Sequence, residues 1–133
     1  MRFDLKIILL SIMTILFFLT MSCTSDNVDG GAKGIINFGE GDCSLDYTFR
    51  FYSKYTGYAY CIEQSVNDSL QNIYNVYPYC DSVFCSNGKY NFALEPGIYY
   101  IFIREYPFRS DENKITVHYK SIAETEFFFY RCI

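Results

Sequence analysis

The sequence lacks several features that mark common functional classes. It has one His, His118, and no Cys-x₂-Cys pair, so it lacks the ligand spacing of a zinc site. It contains no Gly-x-Ser-x-Gly elbow, phosphate-binding loop or His-Glu-x-x-His motif. Its 11 basic residues are outnumbered by 15 acidic ones, whereas a nucleic-acid-binding protein needs a basic face. We therefore expect no metal, no cofactor and no nucleic-acid partner.

Catalytic constellations are also missing, and we expect no enzymatic activity. A Cys–His nucleophile pair would need His118, which the local alternation places on the solvent-facing side of a strand. The first candidates for paired carboxylates in glycoside hydrolysis are Glu40, Asp42, Glu63 and Asp68. Charged loop residues are usually solvent contacts, and the domain is small for a glycosidase.

The N-terminal apolar run is too short for a membrane span. It covers residues 7–21, after Arg2 and Lys6, and stops at Ser22 and Cys23. Fifteen helical residues extend about 22 Å, whereas the hydrocarbon core of a bilayer is ~30 Å thick. A short apolar run behind basic residues is typical of a signal peptide.

A cysteine follows this run directly. Residues 19–23, Leu-Thr-Met-Ser-Cys, resemble the lipobox of bacterial lipoproteins, in which a small residue precedes the acylated cysteine. The resemblance implies that residues 1–22 are a cleaved lipoprotein signal peptide and that Cys23 becomes the acylated first residue. Each buried CH₂ contributes about 0.8 kcal/mol, so several acyl chains make a lasting membrane anchor.

The residues after Cys23 indicate where the anchored protein goes. The residue after Cys23 is Thr24, whereas an Asp at this position would resemble an inner-membrane retention signal. The absence of that Asp favours the outer membrane, on either the periplasmic or the cell-surface face. Asp26 and Asp29 resemble the acidic export signal of surface lipoproteins. Residues 23–32 are also interpreted as a flexible tether, because they end in glycines.

Residues 33–133 are predicted to form one all-β domain. Alternating apolar and polar residues, or short apolar runs, predict strands. The predicted strands are 33–38, 45–52, 57–64, 89–95, 98–103, 114–120 and 127–130, with one short helix within 66–75. Turn dipeptides at 87–88 and 96–97 separate strand patterns. Together these features predict an antiparallel β-sandwich of about seven to nine strands, with a small β-barrel as the alternative.

One hairpin has a familiar pattern. Residues 90–103, Tyr-x-Phe-x-Leu-x-Pro-Gly-x-Tyr-x-Ile-x-Ile, resemble the strand-turn-strand hairpin of prealbumin-like and carboxypeptidase-regulatory-like sandwich domains. The resemblance implies that Tyr99 packs inward. Because many unrelated functions share such a hairpin, it concerns the fold alone.

Five cysteines remain after Cys23, so at least one lacks a partner within the chain. We expect Cys80 and Cys85, the nearest pair, to close one loop, and Cys43 and Cys132 to join the two ends of the domain. Closing a loop of about ninety residues stabilises by ~4–5 kcal/mol on the chain-entropy model. Cys61 is then the odd cysteine, expected to be buried, and other pairings stay open.

The aromatic content is the most informative feature. The chain has 14 Tyr and 13 Phe, more than a core this small is expected to hold. Alternation predicts an inward-facing set: Tyr47, Phe49, Phe51, Tyr90, Phe92, Tyr99 and Tyr119. Exposed Tyr and Arg are favoured interface anchors, and flat rings stack on sugars. The predicted ligand-binding residues are Tyr52, Tyr55, Tyr58, Tyr100, Phe102, Tyr106, Phe108 and Arg109.

These observations predict a lipid-anchored, non-catalytic envelope or surface module that binds a glycan or protein ligand. Two alternatives stay open. The first is a small envelope inhibitor or immunity protein that presents residues 105–113 or 77–86 to a protease or toxin. The second is a structural component of an envelope assembly that adds a strand at a sheet edge.

Overall fold

A computed structural model describes residues 29–44, 46–70 and 75–133. The predicted signal peptide, Cys23 and residues 23–28 of the predicted tether lie outside the described residues. Within them the chain forms eight strands and one short helix. The elements are β1 (Gly31–Gly41), β2 (Ser53–Lys54), β3 (Gly57–Glu63), α1 (Gln64–Ser69), β4 (Asp81–Cys85), β5 (Lys89–Ala93), β6 (Gly97–Ile103), β7 (Lys114–Val117) and β8 (Ile122–Cys132).

The strands form two sheets, and the predicted all-β sandwich is confirmed. The second sheet has the order β4-β3-β6-β7, with every neighbouring pair antiparallel. In the first sheet, β8 pairs with one edge of β1, and β5 and β2 share its other edge. The alternative, a small closed barrel, is not what the described strands form.

The first sheet is organised by the parallel pair of β1 and β8. The register runs from Gly31 opposite Ile122 to Gly41 opposite Cys132, so both strands end together. We call the end where the chain enters at Gly31 the entry pole and the other end the distal pole. β1 starts two residues before the predicted domain boundary, and Gly31 and Ala32 are buried members of the sheet.

The core between the sheets is built from alternating side chains of both. Tyr90, Phe92 and Tyr99 are buried there, as their periodicity predicts, together with Phe127 and Phe129. A second apolar cluster lies on the outer face of the second sheet. Its buried members are Tyr60, Ile62, Val76, Tyr100 and Phe102, and Val66, Leu70, Tyr77 and Cys80 pack against them.

The predicted strand 45–52 is wrong. Tyr47–Phe49 form a 3₁₀ turn, and Tyr47 and Phe51 are 76% and 88% exposed instead of inward. Phe49 is exposed too, as is Tyr119 in the turn between β7 and β8. The reason is that β1 continues to Gly41 alongside β8, and the chain then leaves the sheet at the disulfide, so only Ser53–Lys54 pairs again with β1.

One of the two predicted disulfides forms. Cys43 and Cys132 are bonded, with Cα atoms 5.2 Å apart. The predicted Cys80–Cys85 bond is wrong, because the intervening residues are strand β4 rather than a loop. Cys85 lies in the inter-sheet core, whereas Cys80 packs in the outer cluster on the opposite face of the sheet. Cys61 is buried as expected, and burial raises its pKa and that of Cys80, the latter to about 11.

This arrangement predicts the cysteine chemistry of the folded protein. Denaturation and alkylation without reductant should yield one linked peptide pair, Cys43 with Cys132, and alkylated Cys61, Cys80 and Cys85. In the native protein near neutral pH the three thiols should alkylate slowly, because Cys61 and Cys85 are buried, Cys80 is half-buried, and burial raises the pKa of all three. Peptide mapping by mass spectrometry checks both statements, and a Cys80–Cys85 linked peptide would contradict them.

Candidate functional site

The distal pole carries a cleft of about 550 Å³. The segment after β1, the loop after β6 and the end of β8 form its walls. We call it the aromatic cleft, after the side chains that dominate its lining. Its lining residues are Cys43, Tyr47, Arg50, Tyr52, Tyr106, Phe108, Glu112, Phe128, Tyr130, Arg131 and Cys132.

The aromatic walls are held by ring-to-ring packing. Tyr52 meets Phe128 and Tyr130 edge-on, with ring centroids 5.4 and 5.7 Å apart. On the other side, Tyr106 meets Phe108 edge-on at 4.9 Å and lies flat on Phe129, part of the inter-sheet core, at 5.2 Å. Such aromatic pairs are worth about 0.5–1.5 kcal/mol beyond their buried area. The cleft walls are therefore anchored to the core.

Charged groups of both signs line the same cleft. The guanidinium carbon of Arg50 lies 4.1 Å from the ring centroid of Tyr47 and 4.6 Å from that of Tyr130. Arg131 forms an ion pair with Glu40 across the β1–β8 pair. Burial raises the pKa of the Tyr106 hydroxyl, and the negative charge of Glu112 adds to that shift. The cleft thus combines ring faces with cationic and anionic groups.

Asn113 holds the loop that supplies one wall. The side chain is 1% exposed, and its Nδ2 donates to the carbonyls of Ile101 at 2.7 Å and Phe108 at 2.8 Å. Its Oδ1 accepts from the backbone N–H of Ser110 at 2.9 Å and from the Ser110 hydroxyl at 3.4 Å. With all its hydrogen-bonding positions used, Asn113 ties the 104–113 loop to β6.

A second hollow lies between the start of β3 and the start of the 104–113 loop. It has a volume of about 570 Å³ and includes Tyr55, Tyr58 and Glu105. The Tyr55 hydroxyl donates to Glu105 Oε2 at 3.0 Å, and burial followed by this hydrogen bond raises the pKa of Tyr55. Arg104 Nε donates to the Tyr60 hydroxyl at 2.9 Å. The structure thereby joins two aromatic stretches that lie fifty residues apart.

Five of the eight predicted ligand-binding residues are at least partly exposed, and the other three are buried. Tyr52, Tyr106 and Phe108 line the aromatic cleft, and Tyr58 is exposed at the second hollow, edge-on to Phe84. Arg109 is half-buried and donates to Asn67 Oδ1 at 2.6 Å, so it ties the loop to α1.

Three of the predicted ligand-binding residues are corrected by the structure. Tyr55 is buried in the inter-sheet core. Tyr100 and Phe102 do point to the outer face of their sheet, but they are only 8% and 0% exposed. The physical reason is that α1, Leu70 and residues 76–80 cover this face and remove it from solvent.

The sequence reasoning missed half of the cleft. Alternation predicts Tyr47 in the core, and no sequence pattern points to Arg50, Glu112, Phe128 or Tyr130 as site residues. The available signal was an arginine within a stretch of aromatic residues directly after Cys43. Only the disulfide partner at Cys132 shows that this stretch stays beside the end of β8.

Comparison with known proteins gives no match that would identify the site. No protein-family model, curated protein or solved structure matches this chain. Across 29–44, 46–70 and 75–133, no helix is long and apolar enough to cross a membrane. In the same ranges no three His, Cys, Asp or Glu side chains come together as a metal site.

The Asn113 network yields a stability prediction. Asn113→Ala should lower the free energy of unfolding by roughly 1–3 kcal/mol, because buried carbonyls lose their donor. Amide exchange in residues 105–112 should rise, since the loop loses its tie to β6. Urea unfolding and hydrogen exchange measure these effects, with the exposed Asn91→Ala as a matched control. Equal stability of both variants would show that Asn113 does not hold the loop.

Proposed function

We propose that this protein is a lipid-anchored, non-catalytic binding module of the bacterial envelope that holds its ligand in the aromatic cleft. The observation that carries the proposal is a concave site of about 550 Å³, lined by supported aromatic rings, in a chain whose other aromatics mostly pack in its cores. Ligand sites are typically ~300–1,000 Å³, with apolar walls and a few polar groups.

Exposed apolar side chains support the distal pole as the contact surface. Phe49 and Phe51 project near the cleft, Phe108 and Phe128 line it, and the C-terminal Ile133 lies beside Gly41. Soluble domains rarely expose apolar patches of this kind unless they mark a contact site.

The position of the cleft fits the predicted anchor. The chain enters the sandwich at Gly31, and β1 then runs roughly 33 Å to the distal pole at ~3.3 Å per residue. An acyl group on Cys23, eight residues before Gly31, would hold the entry pole towards the membrane. The cleft would then face away from the bilayer, where a ligand has access to it.

Binding rather than catalysis is supported by the placement of carboxylates. Glu40 is paired with Arg131 at the distal pole. Glu63 ends β3 and Asp68 lies in α1, away from the cleft. Glu63 and Asp68 therefore do not form a carboxylate pair with Glu40 across the cleft.

An inhibitor or immunity role is the second candidate. The 104–113 loop favours it, because Asn113 and Arg109 hold this loop in one conformation before any partner binds. Residues 77–86 do not favour this role, because they contain strand β4 and form no disulfide.

The anchor predicts a simple labelling result. Wild-type protein expressed in a Gram-negative host should incorporate an alkyne fatty acid, fractionate with the outer membrane and lose both properties on Cys23→Ala. Protease treatment of intact cells then tells whether the domain faces the medium or the periplasm. A Cys23→Ala protein that still carries the label and remains in the membrane would contradict the anchor.

The cleft predicts a binding result that is independent of the anchor. Phe108→Ala and Phe128→Ala should each weaken ligand binding about tenfold or more, as removal of interface anchors does, and leave Tm within a few degrees because both side chains are exposed. The matched control is Tyr119→Ala, an exposed aromatic at the entry pole. Glycan arrays and capture of envelope or host proteins supply the ligands. Equal binding by all three variants would refute the cleft as the site.

A further inference from the structure

Arg50 differs from the other arginines in the described part of the chain. Arg104 donates to the Tyr60 hydroxyl, Arg109 to Asn67, and Arg131 to Glu40. Arg50 forms no ion pair within the described residues, and its Nε is buried without a hydrogen-bond acceptor there. Its partners are the faces of two tyrosine rings that line the cleft.

This isolation has a physical consequence. A guanidinium that is partly removed from water loses hydration, and ring faces replace only part of that stabilisation. The chain carries 15 acidic residues against 11 basic ones, so carboxylates are plentiful, yet none of those in the described ranges is paired with Arg50. An anionic group entering the cleft would complete its electrostatic environment, and a planar guanidinium binds carboxylates through two parallel hydrogen bonds.

The other lining groups suit a sugar ring. Tyr52, Phe108 and Phe128 offer ring faces and edges on which the apolar C–H side of a pyranose can pack. Glu112 offers a carboxylate that accepts hydrogen bonds from sugar hydroxyls. A concave site of this size fits a short oligosaccharide better than a protein partner, which needs about 800 Å² of surface on each side.

We infer that the aromatic cleft selects acidic glycans, with Arg50 binding the carboxylate of a uronic or sialic acid while the aromatic walls pack against the ring. The inference rests on the proposed binding function and adds the chemical class of the ligand. Arg50 is the specificity-determining residue, and the aromatic side chains supply affinity that does not depend on charge.

The test compares sugars that differ only in charge. The full-length, detergent-solubilised protein is titrated calorimetrically with trigalacturonic acid and with its methyl ester, and separately with sialyllactose and its methyl ester. We expect at least one acid to bind about tenfold more tightly than its neutral counterpart, with a preference that shrinks at high salt. Arg50→Gln should bring the two members of that pair within about twofold.

Matched variants separate charge from packing. Arg50→Lys keeps the charge without the planar fork and should retain part of the preference, which also guards against a misfolded glutamine variant. Lys120→Gln removes a cation that lies over exposed Tyr119 at the entry pole and should change nothing. Phe108→Ala should weaken the acidic and neutral sugars by the same factor.

Each outcome decides a different statement. Equal binding of acid and neutral sugar, both weakened by Phe108→Ala, would overturn the role of Arg50 and leave the proposed binding function standing. No binding of any of the four sugars at millimolar concentration would overturn the acidic-glycan inference. In that case the array and capture experiments with Phe108→Ala and Phe128→Ala still decide whether the cleft binds a ligand at all.

Discussion

The parallel pairing of β1 with β8 is the constraint on which the rest of the structure depends. It joins the two ends of the described domain over eleven residue pairs and brings both strands to the distal pole together. The Cys43–Cys132 bond links Cys132, in the last register position of the pair, to the residue two positions after Gly41. Loop closure over 89 residues restricts the unfolded chain strongly, by ~4–5 kcal/mol on the chain-entropy model. The segment after Cys43 is therefore held beside the end of β8, where the cleft forms.

The distal pole shows how a small domain can present rigid aromatic surface. Tyr106 lies on Phe129 of the core, and Tyr52 is wedged against Phe128 and Tyr130 of β8. Asn113 secures the loop that carries Tyr106. Because these rings are fixed before a ligand arrives, little conformational entropy is left to lose on binding. The fixed rings surround the guanidinium of Arg50, which has no anionic partner among the described residues. This arrangement connects the fold to the proposed ligand chemistry.

Sequence periodicity predicted the fold well where one face of a strand meets the core. Tyr90 and Phe92 in β5 follow strict alternation and are buried, and the doubly apolar β6 is buried on both faces. The same rule failed for residues 45–52, whose alternation is as regular. A strand needs a neighbour with free backbone groups, and the segment after Gly41 lies past the last register position of the β1–β8 pair. Alternation shows which side chains of a segment could share one face. It does not indicate whether a neighbouring strand exists for that segment to pair with.

The sequence by itself determined the all-β class and the inward positions of β5 and β6, because both follow from local alternation. It left several cysteine pairings open, and the structure decided for the bond between Cys43 and Cys132. Only the tertiary structure decided which aromatics are exposed. Tyr100 and Phe102 are buried because α1 and residues 76–80 pack over their face of the sheet. Tyr47 and Phe51 are exposed because their segment does not join a sheet. Exposure depends on what packs over a face, and that contact comes from residues distant in sequence, which no local pattern encodes.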